Sequence, residues 1–231
     1  MFTKQVKIGG TQLTIELRDD IDQSVANEIF SFHEYRAAEP LIQAATDPVA
    51  DIGAHAGFFT LLARGLNPSV PIIVIEPAKE NLHQLKRNLA FNKVAGVTIL
   101  DGAAVGEKRG QKLIITKDSH NHYLSDAPQK RDEARAVPLF TLADIRSKLG
   151  VDRLSVVKCD IEGGEYDIIL QTPDEELQKA GAFILEYHAE RKQKERALAE
   201  RLRELGFGVQ TFPSKFDKTM GFLFAVNKRK K

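Results

Sequence analysis

Apolar and polar positions alternate from Lys4 to Ile8 and again from Thr11 to Leu17, with Gly9-Gly10 between them. A period of two interrupted by a glycine pair predicts a β-hairpin over residues 4–17. From residue 24 to 45 the period lengthens. Val25, Ile29, Phe32 and Tyr35 recur three to four positions apart and predict a mostly helical segment, broken or restarted at Pro40. It is read as packing rather than as a lid.

Short apolar runs then alternate with helical patterns. Strands are predicted at 48–52, 71–75, 97–100, 154–159 and 182–185. Between them, helices are predicted over Phe58–Leu66, ended by Asn67-Pro68, over Ala78–Ala90 with Leu82, Leu85, Leu89 and Phe91 inward, and over Leu142–Leu149. Thr141 with Asp144 three residues on has the pattern of a capping box. Asn88 and Asn92 are read as structural. A charged helix over Lys192–Leu205, with Ala197, Leu202 and Leu205 as its apolar face, precedes a closing antiparallel pair, Val209–Phe212 and Met220–Val226. Strand-helix alternation of this kind predicts an α/β fold with a doubly wound parallel sheet. Three parts follow: an N-terminal hairpin and helical extension (1–47), the main domain (48–227) and a basic tail (228–231).

Composition changes this picture little. At 231 residues and 42% hydrophobic content, the chain can bury a full core. A net charge of +1 gives no general field for nucleic acid or an acidic membrane. One cysteine, Cys159, excludes an intrachain disulfide and a cysteine zinc cluster. No leader or membrane-length apolar run is read, so a cytoplasmic location is expected.

Chemistry concentrates at the predicted strand ends. Residues 48–60, PVADIGAHAGFFT, are a strand, a small-residue turn and a helix start. The glycines allow close approach to a ligand, and the helix start offers unpaired N–H groups. A dinucleotide fingerprint would be G-x-G-x-x-G. Here Asp51 precedes Gly53, and the next glycine is Gly57. An acid in that loop repels a pyrophosphate but can face an amino group, which suits S-adenosylmethionine (SAM). Gly53, Ala54, His55, Gly57 and Phe58 complete the loop. Glu76-Pro77, ending the second strand, stands where a ribose diol is bound in doubly wound folds. Asp101, Gly102 and Ala103 follow the third strand and can take the adenine.

Asp160, Glu162 and Glu165 crowd the end of the fourth strand, and Lys158 is expected to pair with one of them. Asp160 is placed at the reaction centre, and Glu162 and Glu165 at the next helix start. Glu186 and His188 share one face of the fifth strand. They could orient a hydroxyl, act as base, or hold a divalent metal with Asp160. The substrate-side role is adopted: His188 as base, Glu186 orienting it, and no metal. Residues 117–136 form a long polar stretch in which His120, Asn121, His122 and Tyr123 cluster. These are read as exposed loop residues.

Taken in order, Glu28–Phe30 with Tyr35, DIGAHAGFFT (51–60), IEPAKENLHQLKRNLAFN (75–92), AAVGEKRG (103–110), TLADI (141–145), VKCDIEGGEYDIIL (157–170) and ILEYH (184–188) resemble the FkbM family of class I SAM-dependent methyltransferases. The resemblance implies a Rossmann-like seven-stranded sheet with strand seven antiparallel. It implies SAM at Asp51, Gly53, Gly57, Glu76 and the turn after strand three. In that family Asn often stands where His55 is. The expected activity is methyl transfer to oxygen, less readily nitrogen, of a small metabolite or sugar. RNA methylation is the alternative, resting on the basic tail and the Lys/Arg-rich 191–203 segment. A nicotinamide dehydrogenase and a non-catalytic SAM-binding protein rank below. The expected partner is a small-molecule acceptor, without a membrane; a homodimer is left open.

Overall fold

The computed structural model describes residues 1–115, 122–125, 133–188, 195–214 and 220–228. A hairpin of β1 (Phe2–Ile8) and β2 (Thr11–Leu17) leads into α1 (Asp20–Phe30) and α2 (Glu39–Gln43). The alternating run is β3 (Val49–Ile52), α3 (Phe58–Leu66), β4 (Ile72–Glu76), α4 (Lys79–Phe91) and β5 (Val97–Asp101). Short strands follow: β6 (Ala103–Ala104), β7 (Lys112–Ile115), β8 (Tyr123–Ser125), β9 (Glu133–Arg135) and β10 (Leu139–Phe140). The second half holds α5 (Leu142–Leu149), β11 (Leu154–Cys159), α6 (Glu165–Gln171), α7 (Asp174–Leu177), β12 (Ala180–His188), α8 (Glu195–Glu204), β13 (Phe207–Pro213) and β14 (Met220–Asn227).

Seven strands make one sheet in the order β13-β14-β12-β11-β3-β4-β5. The pairs from β12 through β5 are parallel, and β14 is antiparallel to both of its neighbours. The chain reverses direction across the sheet between β3 and β11. A crevice opens there outside the strand C-termini, as in other open α/β sheets.

Alternation along the central strands divides the core. Ala50, Val157 and Leu185 face a layer containing α5, α6 and α8. Val49, Val156 and Ile184 face α3, α1 and the hairpin. The N-terminal extension therefore shares the core of the main domain. Asn88 and Asn92 of α4 fix it there: Asn88 Oδ1 accepts from Glu16 N (2.8 Å), and Asn92 Oδ1 from Thr14 N (2.7 Å). The capping box at Thr141 and Asp144 is formed.

Three packing expectations are corrected. The 24–45 helix stops at Phe30, because His33 enters the left-handed region (φ +54) and turns the chain. Phe32 is thereby left outside, 67% exposed, while Tyr35 goes inward. Pro40 lies in the first turn of α2, where its missing N–H costs nothing. Phe91 is half exposed at the end of α4, with the Arg87 guanidinium over its ring. Ala197 is exposed; Leu198, Leu202 and Leu205 form the inward stripe of this segment. Residues 192–194, the start of the expected last helix, lie outside the described residues, as do 229–231 of the tail. Among the described residues, no helix is long and apolar enough to cross a membrane.

Candidate active site

A cavity of about 620 Å³ occupies the crevice. One end is built by the β3–α3 loop. Gly53 has φ +74, and a Cβ there would stand 1.8 Å from the carbonyl oxygen of Asp160. The glycine thus serves the close approach of the β11 end to the loop. Gly57 (φ +82) caps α3 against Leu85 and does not line the cavity. Ala54, His55 and Phe58 do.

Glu76, 5% exposed, ends β4 inside the cavity wall. Its carboxylate accepts from His55 N (2.8 Å) and Ala78 N (2.9 Å). Burial raises its pKa, and those donors with Asn81 offset part of the rise. Pro77 and Ala103 also line the cavity. Asp101 and Gly102 do not: Asp101 is exposed, and a Cβ on Gly102 would meet the Pro138 carbonyl at 2.4 Å. The glycine at 102 lets β10 pack beside β6, so Ala103 rather than Gly102 faces the cavity.

Asp51 lies beneath the loop rather than in the cavity, fully buried. It pairs in register with Lys158 across the β3–β11 ladder. Thr60 Oγ1 donates to Asp51 Oδ2 (2.6 Å), and Lys158 Nζ is 3.4 Å from Oδ1. The same ammonium donates to Gly53 O (2.6 Å) and stands 3.7 Å from Asp160 Oδ2. Burial alone would lower the Lys158 pKa; Asp51 and Asp160 outweigh it and raise the value. Lys158 therefore pairs with two acids, where one was expected, and it ties β3, the loop and β11 together. Asp51 acts on the site through this cation, because its strand position points it toward α3.

The other end of the cavity is acidic. Asp160, Glu162, Glu186, His188, Glu28 and Tyr35 line it. Glu186 makes no ion pair or hydrogen bond among the described residues, and burial, then Asp160, Glu28 and Glu34, push its pKa well up. Glu165 is completely buried and accepts from Ile161 N (2.6 Å) and Gly163 N (2.9 Å), so it shapes the loop after β11. Burial and Asp160, against the Ile161 N–H, push it to about 8. Glu162 is pushed to about 7 by burial and Asp160.

Glu186 was expected to orient His188. The carboxylates beside the ring are instead Glu162 (3.6 Å from Nε2) and Glu165 (3.9 Å from Nδ1). Neighbours two apart on a strand point side by side, whereas the loop after β11 folds across the ring. Asp160, Glu165 and His188 offer ligand atoms within 4.8 Å of one another, a grouping that could hold a metal ion.

Several contributors are given no site role in the sequence reading. Arg18 forms a network with Asn81 and His55 at the Gly53–Glu76 end. An Arg and an Asp four apart at a helix start, Arg18 and Asp22, were the available signal. Tyr35 packs edge-on to Phe59 and Phe222, as read, and also lines the cavity. His122 lines it too, and its ring pairs with Glu80 at 3.0 Å, against its reading as an exposed loop residue. His120 and Asn121 lie outside the described residues.

Comparison with known proteins agrees with this architecture. The Methyltransferase FkbM domain matches residues 51–224. AMB antimetabolite synthetase AmbE of Pseudomonas aeruginosa is 25% identical over 204 residues, which cover 70% of this chain and 9% of that protein. Methyltransferase sdnD of Sordaria araneosa is 24% identical over 196 residues, covering 71% of this chain and 74% of the relative. The 31-O-demethyl-FK506 methyltransferase FkbM of Streptomyces tacrolimicus is 22% identical, covering 62% and 65%. This chain thus spans less than a tenth of AmbE and about two thirds to three quarters of the other two. Among solved structures, SAM-bound magnesium protoporphyrin IX methyltransferase from Synechocystis PCC 6803 superposes with a TM-score of 0.50 at 12% identity, covering 92% of this chain and 86% of that one. That likeness concerns the fold. Since the family match runs from the glycine loop through β14 and takes in both ends of the cavity, the chain belongs to the FkbM methyltransferase domain family.

Proposed function

We propose that this domain transfers the methyl group of SAM to a hydroxyl oxygen of a small metabolite or sugar. One observation carries the reading: a single cavity joins the Gly53–Glu76 end to an acidic end in which the Glu186 carboxylate is unengaged by described residues. SAM would lie with its ribose on Glu76, its adenine beside Ala103, and its amino group toward Asp160. Glu76 is already held by two backbone donors, so its acceptor oxygens are positioned before ligand arrives.

Transfer forms the acceptor O–C bond as the C–S bond breaks. The electron pair goes to sulfur, leaving S-adenosylhomocysteine. The acceptor proton needs a base within hydrogen-bond reach. Glu186 and His188 are the groups at this end that could take it, Glu186 only where the sulfonium charge of bound SAM holds it ionised against the burial that raises its pKa. Oxygen as the acceptor atom is supported by the Streptomyces relative, named for a 31-O-demethyl substrate. The acidic lining disfavours a phosphate backbone, so RNA ranks second.

The test is thermal unfolding with S-adenosylhomocysteine, SAM and NAD in separate samples. A ligand that binds only the native state raises the melting temperature by mass action. A rise with the two sulfur ligands supports the reading. A rise with NAD alone, or with none, removes it.

A further inference from the structure

We propose that Asp160, Glu165 and His188 bind a divalent cation of the Mn²⁺ or Mg²⁺ class at the acceptor end of the cavity. This departs from the metal-free site read from the sequence. Binding stands on geometry alone; the role in catalysis rests on the methyl-transfer reading.

The three ligand atoms lie within 4.8 Å of one another. Two donors each about 2.0–2.6 Å from one ion stand no more than about 5 Å apart. The cluster already has the size of a coordination shell. It is also assembled from separate parts of the chain, Asp160 and Glu165 from the β11 end and His188 from the neighbouring strand β12. Two carboxylates with one imidazole suit a hard to borderline divalent ion, and the lone thiol, Cys159, is fully buried in the core.

The surroundings fit ligation. Glu165 is held in place by two backbone N–H groups, and each of its oxygens keeps a second lone pair. Glu162 stands 3.6 Å from His188 Nε2 while Nδ1 faces Glu165. A carboxylate behind a ligating histidine fixes its tautomer and orientation. Tyr35 lines the same cavity in the field of Asp160 and Glu186, where its hydroxyl could donate to water on the ion or to the acceptor.

With the ion present, the acceptor hydroxyl would bind it and lose its proton more readily. The proton would pass to Glu186 in its ionised form or to solvent, and the oxygen would take the methyl group as the C–S bond breaks.

Metal-stripped protein titrated with Mn²⁺ and followed by electron paramagnetic resonance is the test. One Mn²⁺ per chain is expected, with affinity reduced at least about tenfold in Asp160→Asn and in His188→Gln. Both variants are checked by circular dichroism for native fold, and Asp101→Asn, outside the cavity, should bind like the parent. Failure to bind up to about 1 mM Mn²⁺, a scale taken from weak divalent sites, overturns the proposal. So does binding that both variants leave intact. The S-adenosylhomocysteine melting shift, measured without metal, separates the two readings. Mn²⁺ binding without that shift sinks methyl transfer and keeps the site; the shift without Mn²⁺ binding does the reverse.

Discussion

Arg18 Nη2 lies 3.0 Å from Nε2 of His55, and the same guanidinium holds both oxygens of Asp22, at 2.9 and 2.7 Å. Arginine has no acceptor, so His55 Nε2 must accept. Arg18 Nη1 also donates to Asn81 Oδ1 (2.9 Å), and the Asn81 amide reaches toward Glu76. The end of the N-terminal hairpin thus supports the Glu76 end of the cavity, where the ribose is proposed to bind.

Replacing Arg18 by Gln should strand the fully buried Asp22 carboxylate and release His55. Loss of one partner of a buried pair costs about 3–5 kcal/mol, and the 18% exposure of Arg18 puts the expectation at or below the lower figure. Urea unfolding should show the loss, with weaker S-adenosylhomocysteine binding. Unchanged affinity would mean that the hairpin serves stability alone.

His55 has φ +50, a region that Asn tolerates and β-branched residues do not. His55→Asn should keep the parent melting temperature within a few degrees, whereas His55→Val should lower it clearly. Equal melting temperatures would show that the loop tolerates a change of backbone angle.

Gly53→Ala places a methyl group 1.8 Å from the Asp160 carbonyl at φ +74. Overpacking typically costs about 1–3 kcal/mol, and the left-handed angle about 1–2 more. Loss of at least about 2 kcal/mol in chemical denaturation is expected, with loss of ligand binding. A stable, binding-competent variant would mean that the loop moves aside freely.

Glu76→Gln removes a charged acceptor from the His55 and Ala78 amides and from the proposed ribose contact. Charged hydrogen bonds contribute about 1.5–3 kcal/mol each. S-adenosylhomocysteine affinity should fall at least about tenfold by calorimetry; parent affinity would take the ribose elsewhere.

Glu34 gives a pH test. Burial, then Glu28 and Asp160, push its carboxyl to about 7 from 4.5. A raised acid binds more protons folded than unfolded between those values, so it lowers stability as pH rises through that window. Glu34→Gln should therefore raise the melting temperature at pH 8 and change little at pH 4.5. Equal effects at both pH values would exclude this carboxyl as the source.

The sequence by itself determined the order of strands and helices, the glycine loop and the placing of acids at strand ends. These are local matters: period, turn residues and caps act within a few positions. The expected helices 58–66 and 142–149 and the strand 154–159 are found with those limits. Only the tertiary structure decided what each acid faces. Asp51 and Lys158 meet because β3 and β11 are neighbours in the sheet. Arg18 reaches His55 across 37 residues, and the loop after β11 sets Glu162 and Glu165 beside His188, displacing the Glu186 pairing read from strand alternation. Tyr35, which packs on Phe59 and Phe222, also becomes cavity wall after His33 turns the chain. A charge at a strand end is visible in one dimension. Its partner is fixed by strand order and by the path of the loops, which bring together residues far apart in the chain.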